Sequence, residues 1–208
     1  MRKKFIGVYN PSIILTYVGV FSALMGLGIL QSAQGKDLIQ TMDLVMILLI
    51  ISGVCDMFDG AVARMIKRTQ QEKDFGIQLD SLADTVSFVV YPAAILLFVT
   101  NFHPVCIAVA CFYVFAGIMR LGWFNITTEE NKGLYKGLPV TTASIIFPAV
   151  YTILRFWNVE YLQYVLPEVC AIVGLLFIVN FRLKKLSLKA LLPFLVLAVI
   201  GVIGLILF

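Results

Sequence analysis

Seven runs of apolar residues, near 11–31, 39–63, 79–100, 104–123, 139–157, 163–181 and 190–207, take up most of this chain. Each is close to the ~20 residues that a helix needs to cross a bilayer. Lipid offers no partner to an open backbone, so a spanning segment must be a helix or belong to a closed barrel. The alternation of barrel strands is absent, which leaves helices. Composition agrees: 61% of the 208 residues are hydrophobic and 13% are charged, against about 45–50% and about 25% in soluble domains. A water-soluble globule and a disordered chain are excluded. The predicted fold class is an all-α integral membrane protein, with a membrane domain over 1–189 and an additional C-terminal span over 190–208. The first run, Pro11 to Leu30, is too long for the apolar stretch of a signal peptide and is expected to stay as a span.

Basic residues give the direction. With a cytoplasmic N-terminus, all 16 lysines and arginines except Lys36 and Arg155 fall inside. The positive-inside rule then predicts a multi-pass protein of the cytoplasmic membrane with its N-terminus in the cytoplasm. The net charge of +4 reflects this asymmetry rather than a nucleic-acid surface. The one histidine, His103, falls on the outer side, which argues against a His-ligated metal or a Ser-His-Asp relay. Cys55, Cys106, Cys111 and Cys170 lack CxxC spacing and read as small apolar residues of a bundle.

The chemistry lies around the second and third runs. Asp56 and Asp59 are three apart and Asp80 and Asp84 four apart, so each pair shares a helix face at the inner end of its span. The segment between the pairs reads as a basic cytoplasmic loop. Four carboxylates on facing stripes at the membrane edge repel unless cations hold them. All-oxygen ligation points to two divalent cations, Mg²⁺ or Mn²⁺, and not to zinc. Two such ions can clamp a diphosphate during displacement at phosphorus. Gly60 and Ala63 leave room for a ligand against the helix, or for close helix packing. Arg64, one turn beyond Gly60, is placed to bind phosphate oxygens. Two plainer readings compete: Asp80 caps the start of the third span, or basic residues pair with the acids as simple salt bridges.

The pattern Asp56-x2-Asp59-Gly60-x2-Ala63-Arg64, then Gly76-x3-Asp80-x3-Asp84, resembles the signature of the CDP-alcohol phosphatidyltransferases, with all eight signature residues present. Eleven residues separate Arg64 from Gly76, more than the family commonly has, and the extra ones are expected in the loop between helices. The resemblance covers about residues 10–189. It implies a six-helix core, usually dimeric, with a site open to the cytoplasm. It implies that Asp56, Asp59, Asp80 and Asp84 hold two metal ions and that Asp84 takes the proton of the acceptor hydroxyl. Asp59, Gly60, Ala63 and Arg64 would line the CDP site. Asn10 and Thr16 resemble an early segment at which the family's first span touches the nucleotide. The alcohol attacks the phosphorus that carries the lipid, and CMP leaves.

Flanking stretches narrow the acceptor. The segment from Gly76 to Ala93, Arg120-Leu121-x2-Phe124-Asn125 and Lys136-Gly137-Leu138-Pro139 are similar to the serine-accepting branch of that family. This implies L-serine as acceptor and CDP-diacylglycerol, or its archaeal ether analogue, as donor. A serine zwitterion needs a cation for its carboxylate and an acceptor for its ammonium. Arg120 and Asn125 could supply these, and Lys136 could join them or hold phosphate. Alternatives stay open: Arg120, Lys132 and Lys136 as inside anchors; glycerol 3-phosphate or an inositol phosphate as acceptor, needing a denser cationic pocket; a membrane prenyltransferase; or a divalent-ion transporter.

Overall fold

The computed structural model describes residues 7–9, 11–33, 37–127, 134–184 and 204. The expected seventh span, apart from Gly204, lies outside the described residues, as do Asn10, Lys132 and the side chain of Lys136. Six stretches are long and apolar enough to cross a bilayer, which makes this a multi-pass membrane protein: Ile14–Ser32, Leu38–Met65, Gln70–Val99, Pro104–Thr127, Val140–Trp157 and Val159–Ile178. The first two are helices α1 and α2. The third joins α3 (Gln70–Asp84), a π-helical turn (Thr85–Val90) and α4 (Tyr91–Val99). The fourth is α5 (Pro104–Thr127). The last two consist of α6 (Ala143–Trp157) and α7 (Leu162–Ile178), each led in by a 3₁₀ turn.

The third span departs from the sequence expectation. It starts at Gln70, not near 79, and the basic loop shrinks to Ile66–Thr69. The cause is a capping box: Glu72 N–H donates to Thr69 Oγ1 at 3.3 Å and Thr69 N–H donates to the Glu72 carboxylate at 2.8 Å. Of the eleven residues between Arg64 and Gly76, six therefore lie in α3 and four in the loop. Asp80 is the eleventh residue of α3, so the reading of Asp80 as a helix cap falls.

Small residues let the helices close on one another. Gly19, Ser22, Ala23 and Gly26 are buried on α1, where Ser52 of α2 donates its hydroxyl to Gly19 O at 2.8 Å. A Cβ at Gly26 would overlap the Tyr91 hydroxyl. Three fully buried tyrosines place their hydroxyls on acceptors across the bundle, backbone carbonyls among them. Tyr91 donates to Val45 O at 2.7 Å, and Tyr113 donates to Phe88 O at 2.8 Å. Phe88 lies four residues before Pro92, which has no N–H for it, so Tyr113 supplies the missing donor. Tyr151 donates to Asp43 Oδ1 at 2.7 Å. Arg155 Nη2 donates to Asp43 Oδ2 at 2.8 Å, and its Nε makes a close ionic contact with Oδ1, also at 2.8 Å, without hydrogen-bond alignment. This cluster ties α6 to α2 near the outer end expected from the sequence.

Alternating span directions bring the start of α1, the end of α2, the middle of α3, the end of α5, the 3₁₀ turn Val140–Thr142 and the end of α7 to the opposite end. A feature the sequence reading does not anticipate also lies there. Strand β1 (Leu134–Lys136) pairs antiparallel with β2 (Arg182–Lys184), with Tyr135 opposite Leu183. This short ribbon straps the chain before α6 to the chain after α7.

Candidate active site

The α2 and α3 faces bring three carboxylates together. One oxygen each of Asp56, Asp80 and Asp84 lies within 4.8 Å of the others. Asp84 is buried, while Asp56 and Asp80 are half-buried. The fourth expected ligand, Asp59, is one turn along α2. It is also buried, and its Oδ2 accepts a hydrogen bond from Thr16 Oγ1 at 2.8 Å, which ties the start of α1 to the site. Three hard oxygen donors converging in a partly desolvated place suit a divalent cation such as Mg²⁺. The cluster can therefore hold a metal ion.

Two cavities flank these acids. A cleft of about 340 Å³ is lined by Thr16, Asp59, Gly60, Ala63, Arg64, Gly76 and Asp80, together with Ile13, Arg68, Lys73, Ile77 and Leu79. Six of the eight signature positions thus line one cleft with Thr16, among them the four that the resemblance assigns to the CDP site. The signature glycines differ in what surrounds them: a Cβ at Gly60 would meet Arg64 Nη1 in ordinary contact at 3.5 Å, while one at Gly76 would stand a tighter 3.3 Å from Arg68 Nη1. On the other side, a pocket of about 150 Å³ is lined by Asp56, Asp80, Asp84, Arg120, Leu121, Phe124, Pro139, Val140 and Thr141. Asp80 lines both cavities.

Arg120 is set in the smaller pocket by its surroundings. It is 6% exposed, its Nε donates to Leu138 O at 3.2 Å, and its guanidinium lies 5.4 Å from the Phe124 ring centroid. Leu138 is fixed in turn. Gly137 adopts φ +76° and donates its N–H to Phe181 O at 2.8 Å, while Leu138 N–H donates to Leu176 O at 3.0 Å. A Cβ at Gly137 would come within 2.9 Å of Phe177 O, so this seat at the end of α7 needs glycine. Asn125 lines neither cavity. Its Oδ1 accepts from Ser81 Oγ at 2.9 Å, bracing α5 against α3 beside Asp80. Lys136 places its backbone in β1.

Sequence reasoning missed Thr141 in the smaller pocket, named Phe124 only as part of a similar segment, and treated Arg68 and Lys73 only as basic residues of the inner side. The signal for the last two was position, since both lie between the halves of the signature. Thr141 had none, because only the turn after Pro139 brings it to the acids.

Comparison with known proteins agrees with this geometry. A model of the family described as CDP-alcohol phosphatidyltransferase matches residues 10–207. That match takes in most of the stretch expected as an additional span. A CDP-diacylglycerol–serine O-phosphatidyltransferase of Helicobacter pylori (strain J99) is 37% identical over 102 residues, which is 48% of this chain and 42% of the relative. An archaetidylserine synthase of Methanothermobacter thermautotrophicus is 35% identical over 106 residues, 50% of this chain and 45% of the relative. A CDP-diacylglycerol–serine O-phosphatidyltransferase of Methanocaldococcus jannaschii is 30% identical over 140 residues, 66% of this chain and 62% of the relative. The chain spans less than two thirds of the length of each of these relatives.

Proposed function

Because the chain belongs to the CDP-alcohol phosphatidyltransferase family, we propose that it transfers a phosphatidyl or archaetidyl group from a CDP-activated lipid to L-serine. The products are CMP and phosphatidylserine or its ether analogue. The observation that carries this reading is the acidic group standing between two cavities, with Asp80 in the wall of both. The larger cleft takes the nucleotide end of the donor: Gly60 and Ala63 admit it, Thr16 holds Asp59 in place, and Arg64 binds phosphate oxygen. Two divalent cations, Mg²⁺ or Mn²⁺, held by Asp56, Asp59, Asp80 and Asp84, would neutralise diphosphate charge and stabilise the oxygens that enter and leave phosphorus.

Serine occupies the smaller pocket. Arg120 binds its carboxylate, and Asp84, across the same pocket, accepts the proton of its hydroxyl. The freed oxygen attacks the phosphorus bearing the lipid, and the bond from that phosphorus to the CMP oxygen breaks with its electron pair. Asn125 acts as a positioning residue through Ser81. Among the described residues lining the pocket, Arg120 is the one cation. That supports a zwitterionic acceptor over glycerol 3-phosphate or an inositol phosphate, whose phosphate asks for more. The names of the relatives support serine as well.

The proposal puts the site at the cytoplasmic face of the cell membrane. In its support, Arg64, Lys67, Arg68 and Lys73 lie at the site end, while Arg155 lies at the other end against Asp43. It includes a homodimer, a 1–189 core and a further span over 190–208. The test is CMP release by the purified full chain supplied with CDP-diacylglycerol, magnesium and one acceptor at a time. Serine is expected to drive release, chelation to stop it, and added Mg²⁺ or Mn²⁺ to restore it. Release with glycerol 3-phosphate and none with serine would reassign the acceptor.

A further inference from the structure

The larger cleft holds more positive charge than the family signature requires. Besides Arg64 it is lined by Arg68 and Lys73, neither of which belongs to that signature. The Arg68 Nε is buried and has no hydrogen-bond partner, an arrangement that costs free energy unless a ligand completes it. The guanidinium lies over Gly76, where any side chain would crowd it. Lys73 stands in the first turns of α3, where a cation opposes the helix dipole, so helix stability gives no reason for it. Among the described residues, no carboxylate pairs with Arg64, Arg68 or Lys73. Three cations face two acids, Asp59 and Asp80, across the cleft.

We infer that Arg68 and Lys73, with Arg64, form a cationic clamp for the diphosphate of the nucleotide lipid. The inference rests on the proposed function for the identity of that ligand. The connection between Arg64 and Gly76 carries both residues. Arg68, in the loop Ile66–Thr69, reaches to Gly76, while the early start of α3 sets Lys73 on the cleft. A planar guanidinium whose Nε lacks a partner suits two-point binding to a phosphate. Gly76 then clears the approach of Arg68.

The test is equilibrium binding to the purified full chain in magnesium, with CDP, inorganic diphosphate and cytidine as separate probes. Arg68→Ala is expected to weaken CDP and inorganic diphosphate by about tenfold to a hundredfold and to leave cytidine unchanged. Arg68→Lys should recover part of the loss. Lys73→Ala, at an exposed position, should weaken the same two probes to a smaller degree and serves if the arginine variant fails to fold. Unchanged CDP and diphosphate binding in variants that melt with the parent protein would overturn the clamp. So would an equal loss of cytidine, which would mean contact with the base or a collapsed cleft. Serine-dependent CMP release by the parent is read alongside. If release is present but neither variant alters diphosphate binding, only the clamp falls. If diphosphate binding depends on Arg68 but serine drives no release, only the serine reading falls.

Discussion

Asp59 and Arg120 are both buried charged residues, yet they face different cavities, and that separation makes their roles distinguishable. Asp59 lies with Thr16 and Arg64 in the larger cleft, while Arg120 lies with Asp84 in the smaller pocket. Arg120→Ala is therefore expected to raise the KM for serine about tenfold to a hundredfold, the loss of roughly 1.5–3 kcal/mol from one charge-assisted contact, with the KM for CDP-lipid nearly unchanged. Arg120→Lys should rescue only part, because an ammonium lacks the two-point fork. Asp59→Asn keeps the volume but removes a charge, and kcat should fall by roughly a hundredfold or more. Initial rates against each substrate in turn check both, and an equal loss of both substrates in Arg120→Ala would make it a structural residue. The four aspartates were legible because helical spacing alone puts each pair on one face. The split of the four between two cavities was not, since Asp56 and Asp59 share a face of α2 and only the positions of α1, α5 and the turn after Pro139 assign each to a side.

At the scale of elements, apolar runs located every described span, but hydropathy misjudged where the third begins. The segment from Gln70 to Gln78 is polar, so it reads as loop; the Thr69–Glu72 capping box makes it helix. The π-helical turn directly after Asp84 was equally hidden, because apolar composition is indifferent to whether a turn closes on the fourth or the fifth residue. Tyr113 shows how that irregularity is supported, with its hydroxyl serving the Phe88 carbonyl. Tyr113→Phe leaves that carbonyl unsatisfied within the bundle and should destabilise the protein by about 1–3 kcal/mol. A lower melting temperature with unchanged KM for either substrate is expected. No shift in melting would mean that the carbonyl finds another donor.

For the molecule as a whole, the distribution of basic residues predicts which end faces the cytoplasm. Single cysteines introduced into a Cys-free background at positions 70 and 132 should be labelled from the cytoplasm, and those at 36 and 158 from outside. Labelling of position 70 only from outside would invert the protein. The arrangement of two cavities about Asp80 also has a stereochemical consequence. Under the proposed function, donor and acceptor would have separate seats on either side of the same acids, so both could be bound at once, and no side chain would need to carry the lipid between them. The reaction is then a single displacement within a ternary complex, and the configuration at the transferred phosphorus must invert. A donor made chiral at that phosphorus with sulfur should give product of one inverted hand, and labelled CMP should not exchange into donor lipid unless serine is present. Retention of configuration, or exchange without serine, would require a lipid-bearing enzyme intermediate.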